Sequence, residues 1–409
     1  MDAEAVLASA LSRANGTASK NTYISLDADW SREQAHRLNH HTGGHELFGL
    51  PVALKDCFDL EGFVTTSGSR FYAQHNAPAA SDSWVAARLK AAGAIITGKT
   101  HLHQLAYGIT GENRDYGDCL QPQDASLLTG GSSSGAAASI QEGSALAAIG
   151  TDTGGSVRAP AALCGLAGYR ASLGLGEWTG GAHLAPSFDT VGWLCRDLRD
   201  LPLLAHALFG ISTANIVERP LRIGVLSKHL MEDCDPSVLE TMAVWAERIV
   251  RLGAHAEDFR PDFWSGAYDL YAPIQAYEAS KLHAGFYDEF EPAIADRLRW
   301  GAAMQEREVM QLRVRHADFE RRTDSLFANL DFLLMPAVPI TRLVAGEDQS
   351  AARPRILRYT TPASLAGLPA VVLPARSVGM QLLAARGSDA ELLAFAHRLG
   401  SMLAAEAVC

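Results

Sequence analysis

The sequence predicts an α/β fold in three layers, and three observations support this prediction. Segments with helical apolar spacing alternate with short runs of β-branched and small apolar residues, such as PVALKD and AIITGKT. This alternation of helix and strand is typical of α/β folds. Apolar residues make up 48% of the 409 residues, which is enough for a large core and argues against disorder.

The first part of the chain contains three predicted helices and three predicted strands. The helices are expected at residues 3–13, 33–38 and 82–92, and the strands at TYISL, PVALKD and AIITGKT. Two stretches with few periodic apolar residues, 68–78 and 111–124, are expected to be long loops. The second loop runs into a Gly-Gly-Ser turn, so we expect it to form a wall of the pocket.

The rest of the chain becomes rich in helices. We expect helices at residues 135–142, 198–208, 237–252 and 388–405, and strands at ALAAIGTD, 221–226, LDFLLMPAVP and LPAVVLP. Residues 159–165 are expected to be a turn-rich cover that is opened by Pro160. Residues 263–330 are helical and charged, with few glycines, which is typical of a helix hairpin that covers a sheet.

Composition argues against several classes of function. The net charge of −11, from 35 basic and 46 acidic residues, argues against nucleic-acid binding as the main function. None of the six cysteines forms a C-x-x-C pair, so we expect reduced thiols and neither a metal nor another cofactor. The first residues lack the pattern of a signal peptide, and no apolar run reaches the ~18 residues of a membrane helix. A cytoplasmic protein without a membrane partner is therefore expected.

Two Gly-Gly-Ser turns lie in the segment TGGSSSGAAASIQEGSALAAIGTDTGGSVRAP. The first presents Ser132, Ser133 and Ser134, and the second presents Ser156. Paired glycines allow unusual backbone angles and close approach, so a serine there can expose its hydroxyl beside bare N–H groups. Acyl transfer needs such a nucleophile next to preorganised oxyanion donors. A flexible linker is the alternative, but linkers are not mostly apolar between their glycines.

A lysine stands in the strand-like run PVALKD, where burial of an unpaired ammonium is costly. From the residues alone, Lys55 is either exposed on a strand or paired with Asp56 or Asp59. In an apolar pocket, burial would instead lower the pKa of the lysine and allow it to accept a proton. His101 and His103 in THLHQ are alternative bases, but this spacing directs them to different sides of a helix start.

These motifs resemble the amidase signature family. The resemblance extends to AAGAIITGKTHLHQLAYGITGEN, SFDTVGWLCRDL, DFLLMPAVP and TTPASLAGLPAVVLP, which occur in the family order, and covers the chain from about Thr22 onward. It implies an amidase built as one three-layer α/β/α domain over residues 1–409, with a mixed sheet flanked by helices. Within it we expect a catalytic core at about 45–200 and a helix-rich cover at about 235–330 that is not a separate domain.

The resemblance also implies a catalytic set, with Ser156 as nucleophile, Ser132 as bridging serine and Lys55 as base. The bridging serine would follow a cis peptide bond from Gly131, and Ser133 would support it or the lysine through hydrogen bonds. The implied oxyanion hole consists of backbone N–H groups of the second turn, those of Thr153, Gly154, Gly155 and Ser156.

Asp152 and Arg158 flank the nucleophile and allow two interpretations. Either Arg158 binds a carboxylate of the substrate, or it forms an ion pair with Asp152 that braces the turn. We favour the brace, because the family carries an arginine at this position across varied substrates.

The expected substrate is a small soluble amide, as in the compact malonamidase-type members that this sequence is similar to. Leu357 stands where A-type subunits of tRNA-dependent amidotransferases usually carry an aspartate, so such a subunit is the alternative function. A non-catalytic binding protein is disfavoured because all three catalytic residues are present. We expect no nucleic-acid partner and leave a homodimer open. The predicted pocket walls are Tyr107, Ile109, Trp178 and Tyr359.

Overall fold

A computed structural model describes residues 2–16, 20–40, 44–214, 219–375 and 378–408. Its strands are β1 Tyr23–Ser25, β2 Pro51–Lys55, β3 Ile95–Thr100, β4 Leu120–Gln121, β5 Asp124–Leu128, β6 Ala147–Thr151, β7 Ala167–Arg170, β8 Val191–Cys195, β9 Arg222–Leu226, β10 His255–Phe259, β11 Phe332–Pro336, β12 Ala370–Leu373 and β13 Met380–Ala384. Its α-helices are α1 Ala3–Gly16, α2 Ala28–Asn39, α3 Arg70–His75, α4 Trp84–Ala91, α5 Ser134–Glu142, α6 Arg158–Leu163, α7 Leu201–Phe209, α8 Pro236–Arg251, α9 Ala267–Leu282, α10 Pro292–Ala302, α11 Glu306–Leu326, α12 Ala352–Leu365 and α13 Asp389–Val408.

Eleven of the described strands form one mixed sheet, in the order β1-β3-β2-β6-β8-β7-β12-β13-β11-β9-β10. Strands β3, β2 and β6 pair in parallel, as do β11, β9 and β10 at the other end. The strands between these two groups pair antiparallel. Strands β4 and β5 form a separate antiparallel pair. The α/β class and the mixed sheet flanked by helices are therefore confirmed.

Both faces of the sheet are buried, because successive side chains of a strand point to opposite faces and each face has its own apolar cluster. Val52 and Leu54 of β2 pack in one cluster with apolar residues of α4, α7 and α13. Ala53, between them, packs in the other cluster with residues of α5 and α6. Strand β8 repeats this division with Trp193 in the first cluster and Leu194 in the second. Two helical layers therefore enclose the sheet.

Several elements differ from the prediction. Residues 159–165 are not a turn-rich cover, since α6 spans most of them. Pro160 lies in the first turn of α6, where its missing N–H costs no hydrogen bond. The charged region 263–330 forms three helices, α9, α10 and α11, instead of a hairpin. The two predicted loops contain α3 and the β4–β5 pair.

Helix α12 and strands β7, β8, β10 and β13 were not predicted. Helix α12 contains Pro362 in its interior, which the sequence signals for helices do not favour. The division into a core at 45–200 and a cover at 235–330 stays a prediction. None of the described helices is both long and apolar enough to span a lipid bilayer.

Helices α9 and α10 pack closely at Gly301. A Cβ at this position would lie 2.0 Å from the carbonyl oxygen of Ala276, which belongs to the backbone of α9. Neither helix can accommodate that atom without moving, so the close contact requires glycine.

We predict that Gly301→Ala lowers the free energy of unfolding by about 1–3 kcal/mol, because the added methyl group forces the two helices apart. The matched control is Gly266→Ala at the start of α9, where no heavy atom lies within 4 Å of the new Cβ. Urea unfolding of both variants measures the difference. Equal stability of the two variants would contradict the prediction.

Candidate active site

Lys55 ends strand β2 and is fully buried. Its Nζ donates hydrogen bonds to three hydroxyl oxygens, at 2.8 Å to Ser132 Oγ, 3.1 Å to Ser133 Oγ and 2.8 Å to Thr151 Oγ1. The two serines come from the first Gly-Gly-Ser turn, and Thr151 ends β6, the strand next to β2. The ammonium site is therefore built from neutral groups that can accept or return a proton.

The neighbouring carboxylates are occupied by other groups, so neither expected acid pairs with Lys55. Asp56 forms a buried ion pair with Lys99, with 2.6 Å between Oδ1 and Nζ. Asp59 accepts a hydrogen bond from Thr65 Oγ1 at 2.7 Å. The pairing of Lys55 with an adjacent acid, one of the two interpretations from the residues alone, is wrong.

Burial lowers the pKa of Lys55 to about 8. The negative charges of Asp152 and Asp189 act in the opposite direction. Burial also raises the pKa of the Cys57 thiol to about 11, so this cysteine is a neutral, packed side chain at ordinary pH. A large fraction of Lys55 is therefore neutral just above pH 8.

The first turn is held by backbone hydrogen bonds. The peptide bond from Gly131 to Ser132 is cis. The N–H of Gly131 donates to the carbonyl of Ile109 at 2.8 Å, and the N–H of His103 donates to the carbonyl of Ser132 at 3.2 Å. The N–H of Ser133 donates to the carbonyl of Ser156 at 3.0 Å. This last bond joins the two Gly-Gly-Ser turns, so both predicted serines lie in one site.

The second turn folds around the carboxylate of Asp152. Its oxygens accept the N–H groups of Gly155 at 2.8 Å, Val157 at 3.1 Å and Arg158 at 3.2 Å. Gly155 has a φ of +117°, and a Cβ there would lie 2.7 Å from the side chain of Thr360. This backbone requires glycine. Ser156, only 3% exposed, follows directly on this turn.

Arg158 is fully buried and all five of its side-chain N–H groups have acceptors. Its Nη2 donates to Oδ1 of Asp152 at 2.9 Å, and its Nε donates to Oδ2 of the same carboxylate at 3.0 Å. The remaining three bonds reach Thr360 O at 2.8 Å, Gln381 Oε1 at 3.0 Å and Ser364 Oγ at 3.1 Å. No donor remains for a substrate, so the contacts are those of a brace.

Asp152 also pairs with Arg170 of β7, at 2.9 Å between Oδ1 and Nη1. Burial disfavours the charged carboxylate, but the guanidinium groups of Arg158 and Arg170 hold the pKa of Asp152 well below its usual range. The turn, β7, α12 and β13 are therefore connected through one buried carboxylate.

Thr153 begins the predicted oxyanion segment, and its hydroxyl donates to Asp189 Oδ1 at 2.6 Å. The other oxygen of Asp189 lies 2.8 Å from Nδ1 of His183. The indole of Trp178 stacks on this imidazole, with 5.0 Å between ring centroids. Trp178, one of the predicted pocket walls, is therefore connected to the oxyanion segment through His183 and Asp189.

The other three predicted pocket walls lie in different surroundings. Tyr107 is buried beneath the guanidinium groups of Arg297 and Arg353. Ile109 packs in the apolar cluster around α5 and α6 and contacts the site through its carbonyl. The hydroxyl of Tyr359 donates to Asp233 at 2.5 Å and lies 3.3 Å from the carbonyl oxygen of Leu230, so the hydroxyl end of the ring faces the loop after β9.

The two histidines considered as bases have structural contacts. Nε2 of His101 lies 2.8 Å from the carbonyl of Gly117, and burial lowers the pKa of this imidazole to about 4. Burial together with nearby cations also lowers the pKa of His103. Among the described residues, no three His, Cys, Asp or Glu side chains are arranged to hold a metal ion.

Sequence reasoning did not single out several residues of this site. Asp189 lies in the block SFDTVGWLCRDL, shortly before β8. Its position at the start of a strand was the sequence signal that could have indicated a role in the site. Tyr271 and Gln275 lie on α9 and Arg297 on α10, in the region that the sequence predicts as a cover, and Arg353 lies on α12, which the sequence does not predict. These residues come together only in the folded chain, so no local sequence pattern predicts that they are neighbours.

Comparison with known proteins agrees with this geometry. The family model described as Amidase matches residues 5–393. AtzE, a 1-carboxybiuret hydrolase component of Pseudomonas sp. (strain ADP), is 31% identical, over 83% of this chain and 80% of its own length. The 2-amino-5-chloromuconic acid deaminase of Comamonas testosteroni is 30% identical, over 87% and 82%. The A-type subunit of glutamyl-tRNA(Gln) amidotransferase from Koribacter versatilis (strain Ellin345) is 28% identical, over 94% and 92%.

A solved structure described as an amidase superposes with a TM-score of 0.88 at 28% identity, covering 99% of this chain and 96% of that one. The similarity therefore includes the whole sheet and its flanking helices. The match of the family model over nearly the full length confirms the resemblance that the two Gly-Gly-Ser turns indicated. The chain thus belongs to the amidase family and is an enzyme that hydrolyses amide C–N bonds.

Proposed function

We propose that the protein hydrolyses a small amide through an acyl-enzyme on Ser156, with Lys55 as base and Ser132 as the proton carrier between them. The observation that carries this proposal is the buried Nζ of Lys55, 2.8 Å from Ser132 Oγ and surrounded by hydroxyls. A lysine without a carboxylate partner and with a lowered pKa is suited to accept a proton near neutral pH.

Acylation begins with two proton transfers. Neutral Lys55 takes the proton of Ser132, and Ser132 takes the proton of Ser156 as its Oγ attacks the amide carbon. The carbonyl oxygen becomes an oxyanion in the tetrahedral intermediate. When the C–N bond breaks, the proton returns from Lys55 through Ser132 to the leaving nitrogen. Water then attacks the acyl group through the same residues, which releases the acid and restores Ser156.

The oxyanion would be bound by backbone N–H groups of the second turn. The N–H of Gly155 donates to Asp152, so this group, part of the predicted oxyanion hole, is already engaged. Within the described part of the chain, the N–H groups of Thr153, Gly154 and Ser156 have no acceptor. We therefore assign the oxyanion to these three donors.

A small substrate is consistent with the relatives. AtzE and the chloromuconic acid deaminase are named for small carboxylated compounds. The second candidate is an A-type subunit of a tRNA-dependent amidotransferase, which the similarity to the Koribacter versatilis protein supports. Leu357 argues against it, because this apolar residue stands where the family resemblance implies an aspartate in such subunits, and its side chain lies beside Gly154. Copurification of a second protein chain with glutaminase activity would favour that candidate.

We predict that Ser156→Ala lowers kcat for amides by at least ~10³-fold, because the covalent nucleophile is lost. Ser139→Ala is the matched control, since Ser139 is buried in α5 and bonds only within its helix and the following turn. Ammonia release from an amide panel measures turnover, and a fluorophosphonate probe reports the nucleophile. A Ser156→Ala protein that keeps more than a tenth of the wild-type rate would overturn the assignment.

The relay predicts that Ser132→Ala harms amides more than esters. An amine must be protonated as it leaves, whereas p-nitrophenolate leaves without a proton, so the loss in kcat/KM should be ~10-fold or more greater for an amide than for the matched p-nitrophenyl ester. Ser134→Ala is the control, because within the described residues the hydroxyl of Ser134 forms one hydrogen bond, to the carbonyl of Ser132 at 3.3 Å. Equal losses on both substrates would exclude Ser132 as the proton donor.

A further inference from the structure

A threonine of helix α12 holds the peptide bond between Gly154 and Gly155. The hydroxyl of Thr360, which is fully buried, donates to the carbonyl oxygen of Gly154 at 2.6 Å. At the other end of the same peptide bond, the N–H of Gly155 donates to Oδ1 of Asp152 at 2.8 Å. This peptide bond is trans, so its C=O and N–H point in opposite directions. The peptide plane is therefore anchored from both sides.

Hydrogen bonds have to set the direction of this plane, because a glycine stands at each end of it. Neither residue has a Cβ, so rotation of the plane meets little steric resistance. The N–H groups on either side of the plane, those of Gly154 and Ser156, are two of the three donors assigned to the oxyanion. Such donors are effective only when their directions are fixed before the reaction. The anchors of the plane therefore bear on the oxyanion hole.

The two anchors belong to one closed ring of hydrogen bonds. The carbonyl of Thr360 accepts from Nη1 of Arg158 at 2.8 Å, and Nη2 of Arg158 donates to Oδ1 of Asp152 at 2.9 Å. The ring thus runs from Asp152 through Arg158 and Thr360 to the peptide bond between Gly154 and Gly155, and back to Asp152. All five residues are buried, so water does not replace a bond that is lost from this ring.

The hydroxyl of Thr360 differs from that of its neighbour in the same helix. A threonine inside a helix can donate to the carbonyl four residues earlier, and Thr361 does so, to Leu357 at 2.7 Å. The corresponding carbonyl for Thr360, that of Ile356, lies 3.3 Å from its Oγ1. The shorter contact of Thr360 leaves the helix and reaches Gly154. This hydroxyl therefore serves the turn more than it serves its own helix.

We propose that Thr360 is a positioning residue of the oxyanion hole. Its hydroxyl fixes the plane between Gly154 and Gly155, so that the N–H groups of Gly154 and Ser156 are directed at the carbonyl oxygen of the substrate as it becomes negative. Without the hydroxyl, the plane keeps a single anchor at Asp152 and can tilt about it. The inference rests on the proposed function, because the oxyanion forms only when Ser156 attacks the amide carbon.

Thr360→Val removes the hydroxyl and keeps the shape of the side chain. It should lower kcat for propanamide, butanamide or benzamide, measured by ammonia release, by about 10- to 100-fold, because the oxyanion donors are misdirected. KM should stay within about threefold, because the carbonyl of the bound substrate is still neutral. Thr360→Ser restores the hydroxyl, so its kcat should return to within about threefold of the wild-type value.

Thr361→Val is the matched control, because it removes an equally buried hydroxyl from the next position of α12. It should change kcat by less than about threefold. Urea unfolding of each variant shows whether the fold is kept. If Thr360→Val does not fold, Thr360→Ala removes the same hydroxyl without placing a methyl group against the carbonyl of Gly154. Equal losses of kcat in the variants at 360 and 361 would show that the hydroxyl only stabilises α12, and would overturn the proposal.

Labelling of Ser156 by a fluorophosphonate separates this inference from the proposed function. Ser156 Oγ bonds to phosphorus as fluoride leaves, and the phosphoryl oxygen takes the place of the oxyanion, so the labelling rate of Thr360→Val should fall by about 10- to 100-fold. Thr361→Val and Thr360→Ser should be labelled at nearly the wild-type rate. If wild-type Ser156 is not labelled, the proposed function fails. If the wild type and Thr360→Val are labelled equally fast, the further inference fails alone.

Discussion

The buried carboxylate of Asp152 is the interaction on which the candidate site depends. It accepts three backbone N–H groups of the second Gly-Gly-Ser turn and pairs with Arg158 and Arg170. Breaking one partner of such a network leaves an unpaired buried charge, which costs about 3–5 kcal/mol. Through Arg158 the same carboxylate is tied to α12 and β13, so the turn that presents Ser156 is connected to the distant end of the sequence.

The structure surrounds its buried cations in two ways, and the difference indicates their roles. Lys99 and the arginines around Asp152 have carboxylate partners, which suits bracing. Among the described residues, the hydrogen-bond partners of Lys55 are all hydroxyls, which suits a group that must lose its proton. Lys55 and Asp56 are adjacent in sequence, yet each has a different set of partners.

The sequence was sufficient for the fold class, because alternating elements and strands of small apolar residues are local signals. It was also sufficient to single out Lys55, Ser132 and Ser156, since the Gly-Gly-Ser turns are a specific motif. Helix α12 was missed because Pro362 interrupts its pattern. Arg297 and Arg353 were missed for another reason. Their position over Tyr107 depends on contacts between α10, α12 and this ring, and such contacts form only after folding.

The most direct test of a lysine base is the pKa of Lys55, measured by NMR on protein with labelled lysine side chains. Comparison with the Lys55→Arg protein identifies the signal. Burial favours the neutral amine, so the charged form should be lost as the pH rises through about 8, well below the usual 10.5. The kcat/KM for amides should rise over the same interval. A pKa at or above 10.5 would contradict the role of Lys55 as the base.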